Sequence, residues 1–261
     1  MLNPTVLRSL VLSMLALSAA PLVMAQPQPG EDQPAPPPSG WGLGIGAGWQ
    51  RPVYTGAENK TRVLPLISFE NEYVRVLGLG ADLKLPSAGP VSFALRARYA
   101  LGDGYESDDA PILNGMEERK PSFWLGGAVQ WRTEYAKLSA ELAGDASSHS
   151  KGTEARLGVE RDFRFGRFMF TPRVAAVWRD AKYVDYYYGV RPEEATAFRP
   201  AYEGRATTNA ELGLRTFYGL SPRDGAFLDV SATALGSSIK DSPLVDRRIL
   251  PAVRLGYLYR F

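Results

Sequence analysis

Apolar residues alternate strictly with glycine along Trp41-Gly42-Leu43-Gly44-Ile45-Gly46-Ala47-Gly48-Trp49. Side chains on a β-strand point alternately to opposite faces, so this stretch has one apolar face and one nearly bare face. A helix would scatter the same residues around its circumference. The stretch is therefore predicted to be a strand.

The same alternation recurs as far as the C-terminus, with apolar residues opposing small or charged ones. The candidate strands lie around residues 41–50, 63–70, 73–85, 91–101, 122–131, 136–142, 154–160, 168–178, 205–215, 226–232 and 253–261. Segment 63–70 is the weakest of these, because Pro65 cannot donate to a β-ladder. A barrel with both termini in the periplasm needs an even number of strands, so we expect ten or twelve, with twelve favoured.

A soluble sandwich or lipocalin-like barrel would also alternate, but three features favour a barrel in a membrane. The segments have about the 9 to 11 residues of a tilted bilayer crossing. The N-terminus is typical of an exported protein. Aromatic residues lie at the strand ends, as in interfacial girdles: Trp41, Trp49, Tyr99, Trp131, Trp178, Tyr257 and Tyr259. The predicted fold is all-β, a transmembrane antiparallel β-barrel in the outer membrane of a Gram-negative cell.

The first 40 residues divide into two segments that precede the barrel. Arg8, the apolar run 9–20 and Val23-Met24-Ala25 follow the order of a cleaved signal peptide, so residues 1–25 are predicted to be one. The run is shorter than the roughly 20 residues of a membrane-spanning helix, and a retained anchor is the alternative. Residues 26–40 are rich in proline and are predicted to form a periplasmic tether. The barrel is assigned to residues 41–261.

Composition argues against several functions. A formal net charge of +2 gives no electrostatic signature of nucleic-acid binding. The chain has no cysteine, which excludes thiolate metal sites and cysteine nucleophiles. His149 is the one histidine and lies in a loop of small residues, so a solvated role is favoured over a catalytic one. The acid pairs Asp108-Asp109 and Glu117-Glu118 are read as solvated rather than as cation or lipopolysaccharide sites. No catalytic, cofactor-binding or metal-ligating residue is predicted.

Charged residues of both signs occupy the polar face of the strands. They are Arg96, Arg98, Lys137, Glu141, Glu154, Arg156, Glu160, Arg173, Glu211, Arg215 and Asp229. This mixture predicts cross-strand ion pairs that fill a narrow lumen, and it disfavours an open pore, in which one sign of charge would dominate.

The loops alternate between short and long. Counting strands back from the C-terminus places the long loops on the extracellular side: 103–120, 144–152, 183–204 and 236–249. The same count places loop 51–62 in the periplasm. The tyrosines between Tyr183 and Tyr188 could form a partner-binding patch. Alternatively, they belong to the aromatic girdle or pack the loop into the barrel mouth.

The chain ends Arg254-Leu255-Gly256-Tyr257-Leu258-Tyr259-Arg260-Phe261. Arg254, Gly256, Tyr257, Tyr259 and the terminal Phe261 resemble the signal that the outer-membrane assembly machinery reads. Such an amphipathic strand pairs with another strand edge during insertion.

Three further motifs resemble those of the MipA/OmpV family. The first comprises Pro52, Tyr54 and Gly56, followed by Pro65 within Leu64-Pro65-Leu66. The second is Tyr187-Tyr188-Gly189-Val190, continuing to Ala195. The third is Asp241-Ser242-Pro243-Leu244-Val245.

This resemblance implies a non-enzymatic outer-membrane scaffold. Its implied partners are a murein-degrading lytic transglycosylase and a penicillin-binding synthase, in addition to membrane lipids and the barrel assembly machinery. A narrow porin-like channel and a surface adhesin acting through the long loops are the alternatives. The resemblance transfers no catalytic residue.

Overall fold

The computed structural model describes residues 40–261, and this range consists almost entirely of antiparallel strands. Helices α1 (Ala181–Tyr188) and α2 (Ser237–Lys240) lie in two of the loops. The strands are β1 (Gly40–Gln50), β2 (Lys60–Glu70), β3 (Val74–Leu77), β4 (Gly80–Ala88), β5 (Val91–Tyr99), β6 (Phe123–Arg132), β7 (Lys137–Asp145), β8 (Thr153–Glu160), β9 (Phe163–Phe165), β10 (Phe168–Arg179), β11 (Thr207–Gly219), β12 (Asp224–Ala234) and β13 (Ile249–Arg260).

The sheet closes on itself. β13 pairs with β1, and β10 pairs with β11, so the described strands form one closed ring. β8 and β9 both pair with β10 along the same edge and count as one wall strand interrupted at Arg161 and Asp162. In residues 40–261 the barrel therefore has twelve strands, which confirms the predicted fold class and the even strand number.

The barrel has one strand more than the eleven predicted segments. Segment 73–85 is two strands, β3 and β4, joined by a tight turn in which Gly78 has φ +57°. The apolar alternation runs through this turn without a break, so the period alone could not show it. Because of this extra strand, the β1–β2 loop lies at the opposite end of the barrel from the one predicted. The periplasmic assignment of 51–62 was wrong, because this loop lies with the long loops, where Tyr54 bridges to Val245.

Segment 63–70 is a strand despite Pro65. The carbonyl of Ile67 accepts the Gly78 N–H at 2.9 Å, so the backbone N–H and C=O groups of Ile67 point toward the β3 side of β2. The backbone groups of a strand alternate in direction, so Pro65, two residues earlier, also faces this side. β3 pairs only with the Ser68–Glu70 end of β2. Pro65 therefore lies at a stretch of open edge, where its missing N–H costs no ladder bond.

The barrel wall is apolar on the outside. Ile45, Leu157 and Leu212 are 57%, 63% and 62% exposed, and each lies on the face opposite the charged residues. An apolar outer face and a charged inner face are what a membrane barrel requires, since its outer face meets acyl chains. None of the helices in the described part of the chain is long and apolar enough to span a membrane. The predicted signal peptide (1–25) and tether (26–40) lie outside the described residues, apart from Gly40.

Candidate functional site

The buried apolar core lies in the loops at one mouth of the barrel. We call residues 51–59, 100–122, 180–206 and 235–248 the loop cap. A barrel that turns its apolar side chains outward has no core between its strands, so buried packing concentrates here. The cluster includes Tyr54, Tyr105, Leu113, Met116, Trp124, Tyr183, Val184, Tyr187, Tyr188, Val190, Ile239, Leu244 and Val245.

Helix α1 places the tyrosine cluster inside this cap. The Asp180 side chain caps the helix by accepting the Tyr183 N–H at 2.9 Å. Tyr183 packs against the ring of Trp124, and the Tyr187 hydroxyl donates to the Lys120 carbonyl at 2.9 Å. Tyr183, Tyr187 and Tyr188 are buried, so these three tyrosines pack the loop into the barrel mouth and do not form an exposed patch for a partner.

The three family-like motifs meet in the cap, although they are far apart in sequence. The Tyr54 hydroxyl donates to the Tyr187 carbonyl at 3.1 Å. The Thr55 N–H donates to the Leu244 carbonyl at 2.9 Å. The buried Ser242 hydroxyl donates to the Tyr188 carbonyl at 2.7 Å. Motif residues from three loops therefore bind each other.

The remaining motif residues shape the loop backbones. Gly56 has φ +78°, which favours glycine, and a Cβ at Gly189 would lie 2.3 Å from the Asp185 carbonyl oxygen. Val190 is buried and forms an isolated bridge with Tyr202. Pro52 and Pro243 are half-buried in the same loops. Pro65 lies in β2, outside the cap.

A buried ion pair joins two of the cap loops. Arg119 Nη2 lies 2.9 Å from both carboxylate oxygens of Glu194, and the two side chains are 2% and 4% exposed. Burial alone would raise the pKa of Glu194. The backbone N–H groups of Glu117 and Arg191, together with Arg119, outweigh burial and hold this pKa below its usual value. No local sequence pattern predicted this pair, since the two residues are 75 positions apart.

His149 is better supported than the sequence indicated. Its Nδ1 lies 2.8 Å from the Pro121 carbonyl, and its loop is organised by Asp145, whose carboxylate accepts the Ser150 N–H at 2.7 Å. The loop is therefore held by its own hydrogen bonds, and His149 is half-buried in it. Of the predicted acid pairs, Glu117 binds Arg191 at 2.5 Å. Within residues 40–261, no group of three or more His, Cys, Asp or Glu residues is placed to hold a metal ion.

One group of charged side chains in the lumen contains equal numbers of positive and negative charges. Arg96 binds Asp82 at 2.7 Å and Glu141 at 2.6 Å, and Arg98 links Glu141 to Glu154. Arg179 then binds Glu154 at 2.9 Å. Three arginines and three carboxylates thus form a continuous chain across β4, β5, β7, β8 and β10, which we call the balanced chain.

A second group of charges, the Asp229 cluster, lies on β8 and β10–β13. Asp229 is contacted by Arg173 at 2.7 Å, Arg215 at 3.0 Å and Arg254 at 3.7 Å. Arg156 binds Glu211 at 2.5 Å in the same region. Lys137 and Glu160 form a further pair between β7 and β8. The prediction that cross-strand ion pairs occupy the lumen is confirmed.

A glycine lets Arg173 reach Asp229 from two strands away. A Cβ at Gly213 on β11 would lie 2.7 Å from Arg173 Cζ, so the guanidinium crosses directly over this glycine. Gly46 on β1 has a similar role, since a Cβ there would lie 3.2 Å from the Leu66 side chain. Bare positions on the inner face therefore provide space for long side chains from neighbouring strands.

Comparison with known proteins identifies the family. A family model described as "MltA-interacting protein MipA" matches residues 43–261, which is nearly the whole barrel. The chain belongs to the MipA family.

Three curated relatives are similar over much of their length. The outer membrane protein YiaT of Escherichia coli K12 is 25% identical over 82% of this chain and 88% of its own. The MltA-interacting protein of the same strain is 24% identical over 76% of this chain and 81% of its own. Outer membrane protein OmpV of Vibrio cholerae is 29% identical over 57% of this chain and 58% of its own. This MipA-family protein is accordingly an outer-membrane β-barrel.

The last strand of this MipA-family barrel carries the predicted assembly signal. Arg254 and Gly256 face the lumen beside Asp229 and Phe227, whereas Tyr257 lies on the lipid side. The ring of Tyr259 packs edge-on against Phe261, which is 69% exposed. Recognition of these residues by the assembly machinery stays a prediction.

Proposed function

We propose that this protein is a non-enzymatic scaffold that holds a lytic transglycosylase, together with a penicillin-binding synthase, at the inner face of the outer membrane. The proposal rests on the family match over residues 43–261, since both the family and one relative are named for interaction with MltA. Murein lies on the periplasmic side, so the partner must meet the periplasmic end of the barrel.

The periplasmic end is the one with short turns, because outer-membrane barrels have short periplasmic turns and longer external loops. Two of these turns are held rigidly. The Asn71 side chain accepts the N–H groups of Tyr73 and Val74 at 2.9 and 2.6 Å. The Thr133 hydroxyl oxygen accepts the Ala136 N–H at 3.0 Å.

Each of these turns carries an exposed tyrosine. Tyr73 is 61% exposed and Tyr135 is 68% exposed. Tyrosine is enriched among residues that dominate protein interfaces, because a rigid ring buries a large area at little entropic cost. These two turns, with the predicted tether 26–40, are therefore the proposed contact surface.

The test is site-specific photo-crosslinking in intact cells. A photoreactive residue is placed at Tyr73 or at Tyr135, and adducts are identified by mass spectrometry. The control position is Phe198, which is 92% exposed in the loop cap at the opposite end. We expect adducts with a lytic transglycosylase or a penicillin-binding protein from the turn positions alone. The proposal fails if neither turn yields such an adduct, or if Phe198 yields the same one.

A narrow solute channel is the second candidate, and polar cavities in the lumen favour it. The cavity beside the balanced chain has a volume of about 560 Å³ and is lined by Arg75, Arg96 and Glu141 among others. The loop cap and the ion pairs oppose conduction. Planar-bilayer recording separates the two functions: discrete conductance steps would support the channel, and silence would support a closed scaffold.

A further inference from the structure

The charges of the lumen are unevenly divided between the two groups. In the balanced chain, Arg96 and Arg98 each lie between two carboxylates, Arg179 binds Glu154, and three arginines match three carboxylates. In the Asp229 cluster, four arginines share two carboxylates, Asp229 and Glu211. Counted over these contacts, the cluster carries an excess of two positive charges, which would attract an anion.

The excess positive charge faces open space. The Asp229 side chain is only 2% exposed, whereas those of Arg215 and Arg254 are 54% and 52% exposed. The carboxylate is thus buried behind the guanidinium groups that surround it. Among the described residues, Arg215 hydrogen-bonds only through Nε, to Asp229, and its two terminal nitrogens are free for another acceptor.

Arg215 lines a cavity of about 320 Å³. Beyond the arginines and Glu211, its wall includes the hydroxyl groups of Ser231 and Thr233 and the amide of Gln50. This volume lies within the range of small-molecule sites. Guanidinium groups bind carboxylates strongly, and the hydroxyl and amide groups would exchange hydrogen bonds with hydroxyl groups of a ligand.

We propose that the Asp229 cluster is a binding site for a small carboxylate that carries several hydroxyl groups. The carboxylate lies against Arg215 and Arg254, and the hydroxyl groups reach Ser231, Thr233 and Gln50. This proposal is independent of the scaffold function, because it concerns the lumen and not the periplasmic turns.

The test is isothermal titration of the detergent-purified protein with three probes. Gluconate is the hydroxylated carboxylate. Glucitol is the neutral control, in which a CH2OH group replaces the carboxylate, and acetate is the control without hydroxyl groups. We expect gluconate to bind, glucitol to show no heat of binding, and acetate to bind at least tenfold more weakly than gluconate.

Two lumen arginines of similar exposure provide matched variants. Arg215→Gln removes a guanidinium from the cluster, while Arg75→Gln removes one at Glu70, where Arg75 is 51% exposed. Arg173 still binds Asp229 through both of its terminal nitrogens in Arg215→Gln, so the barrel should fold. We expect Arg215→Gln to raise the gluconate Kd tenfold or more, and Arg75→Gln to change it less than twofold.

Thr233→Val leaves every charge in place and tests the hydroxyl contacts separately. We expect this variant to weaken gluconate binding several-fold without changing acetate binding. The proposal is overturned if wild-type protein does not bind gluconate at millimolar concentrations or if glucitol binds equally well. It is also overturned if acetate matches gluconate, or if Arg75→Gln weakens binding as much as Arg215→Gln does.

Discussion

Glu194→Gln should open the loop cap while leaving the barrel assembled. The substitution keeps the shape of the side chain but removes the negative charge beside Arg119, whose side chain is 2% exposed. Removing one partner of a buried ion pair leaves an uncompensated charge, which costs about 3–5 kcal/mol. Arg119 still donates to the carbonyls of Tyr186 and Glu117, both at 2.9 Å, so we expect the lower end, about 3 kcal/mol.

Hydrogen exchange measures this cost directly. The N–H of Tyr105 donates to the Arg119 carbonyl at 2.8 Å, and the Arg119 N–H donates back at 2.9 Å, so both amides report on the integrity of the cap. A loss of about 3 kcal/mol corresponds to a roughly 100-fold larger opening constant. We expect both amides to exchange about 100-fold faster in Glu194→Gln at neutral pH, with the amides of β5 and β6 unchanged.

Arg191→Gln is the matched control in the same loop. It breaks the pair with Glu117, in which the two side chains are 46% and 69% exposed. Exposed pairs contribute about 0–1 kcal/mol, so exchange should rise less than tenfold. If the two variants exchange equally fast, the buried pair does not hold the cap closed and the reasoning is refuted.

Three further outcomes are expected. Ser242→Ala leaves the Tyr188 carbonyl without its hydroxyl donor, which costs about 1–3 kcal/mol of cap stability. Limited proteolysis should therefore cleave loop 235–248 about tenfold faster, and an unchanged cleavage rate would contradict this. Gly213→Ala should displace Arg173 and lower the Tm of the barrel, whereas Gly127→Ala, which meets nothing within 4 Å, should not. Burial raises the pKa of Tyr105 and Tyr188 to about 12, compared with about 10 for an ordinary tyrosine. The free energy that holds the cap folded should therefore be constant below pH 10 and fall as the pH rises toward 12, because the unfolded tyrosines ionise first. The absorbance of tyrosinate at about 295 nm should show some tyrosines that ionise only above pH 10. Ionisation of all tyrosines together near pH 10 would argue against this.

Local patterns were sufficient for much of this protein. Alternation with a period of two residues specifies which face of a strand is apolar, and it predicted the strands and the ion-paired lumen. The segment lengths, the N-terminus and the aromatic residues at the strand ends then favoured a barrel in a membrane. The alternation does not record where a strand stops. The turn at Gly78 therefore remained hidden within segment 73–85, and the β1–β2 loop was assigned to the wrong end.

The wall of the barrel can be derived from local sequence, because it depends on neighbouring residues and on pairing between consecutive strands. The arrangement of the loops and of the lumen charges depends on the folded chain. Tyr54 meets Tyr187 across 133 positions, and no periodicity relates residues so far apart. The division of the arginines into a balanced chain and a positively charged cluster depends on which strands face each other across the closed ring, and closure is a property of the whole sheet.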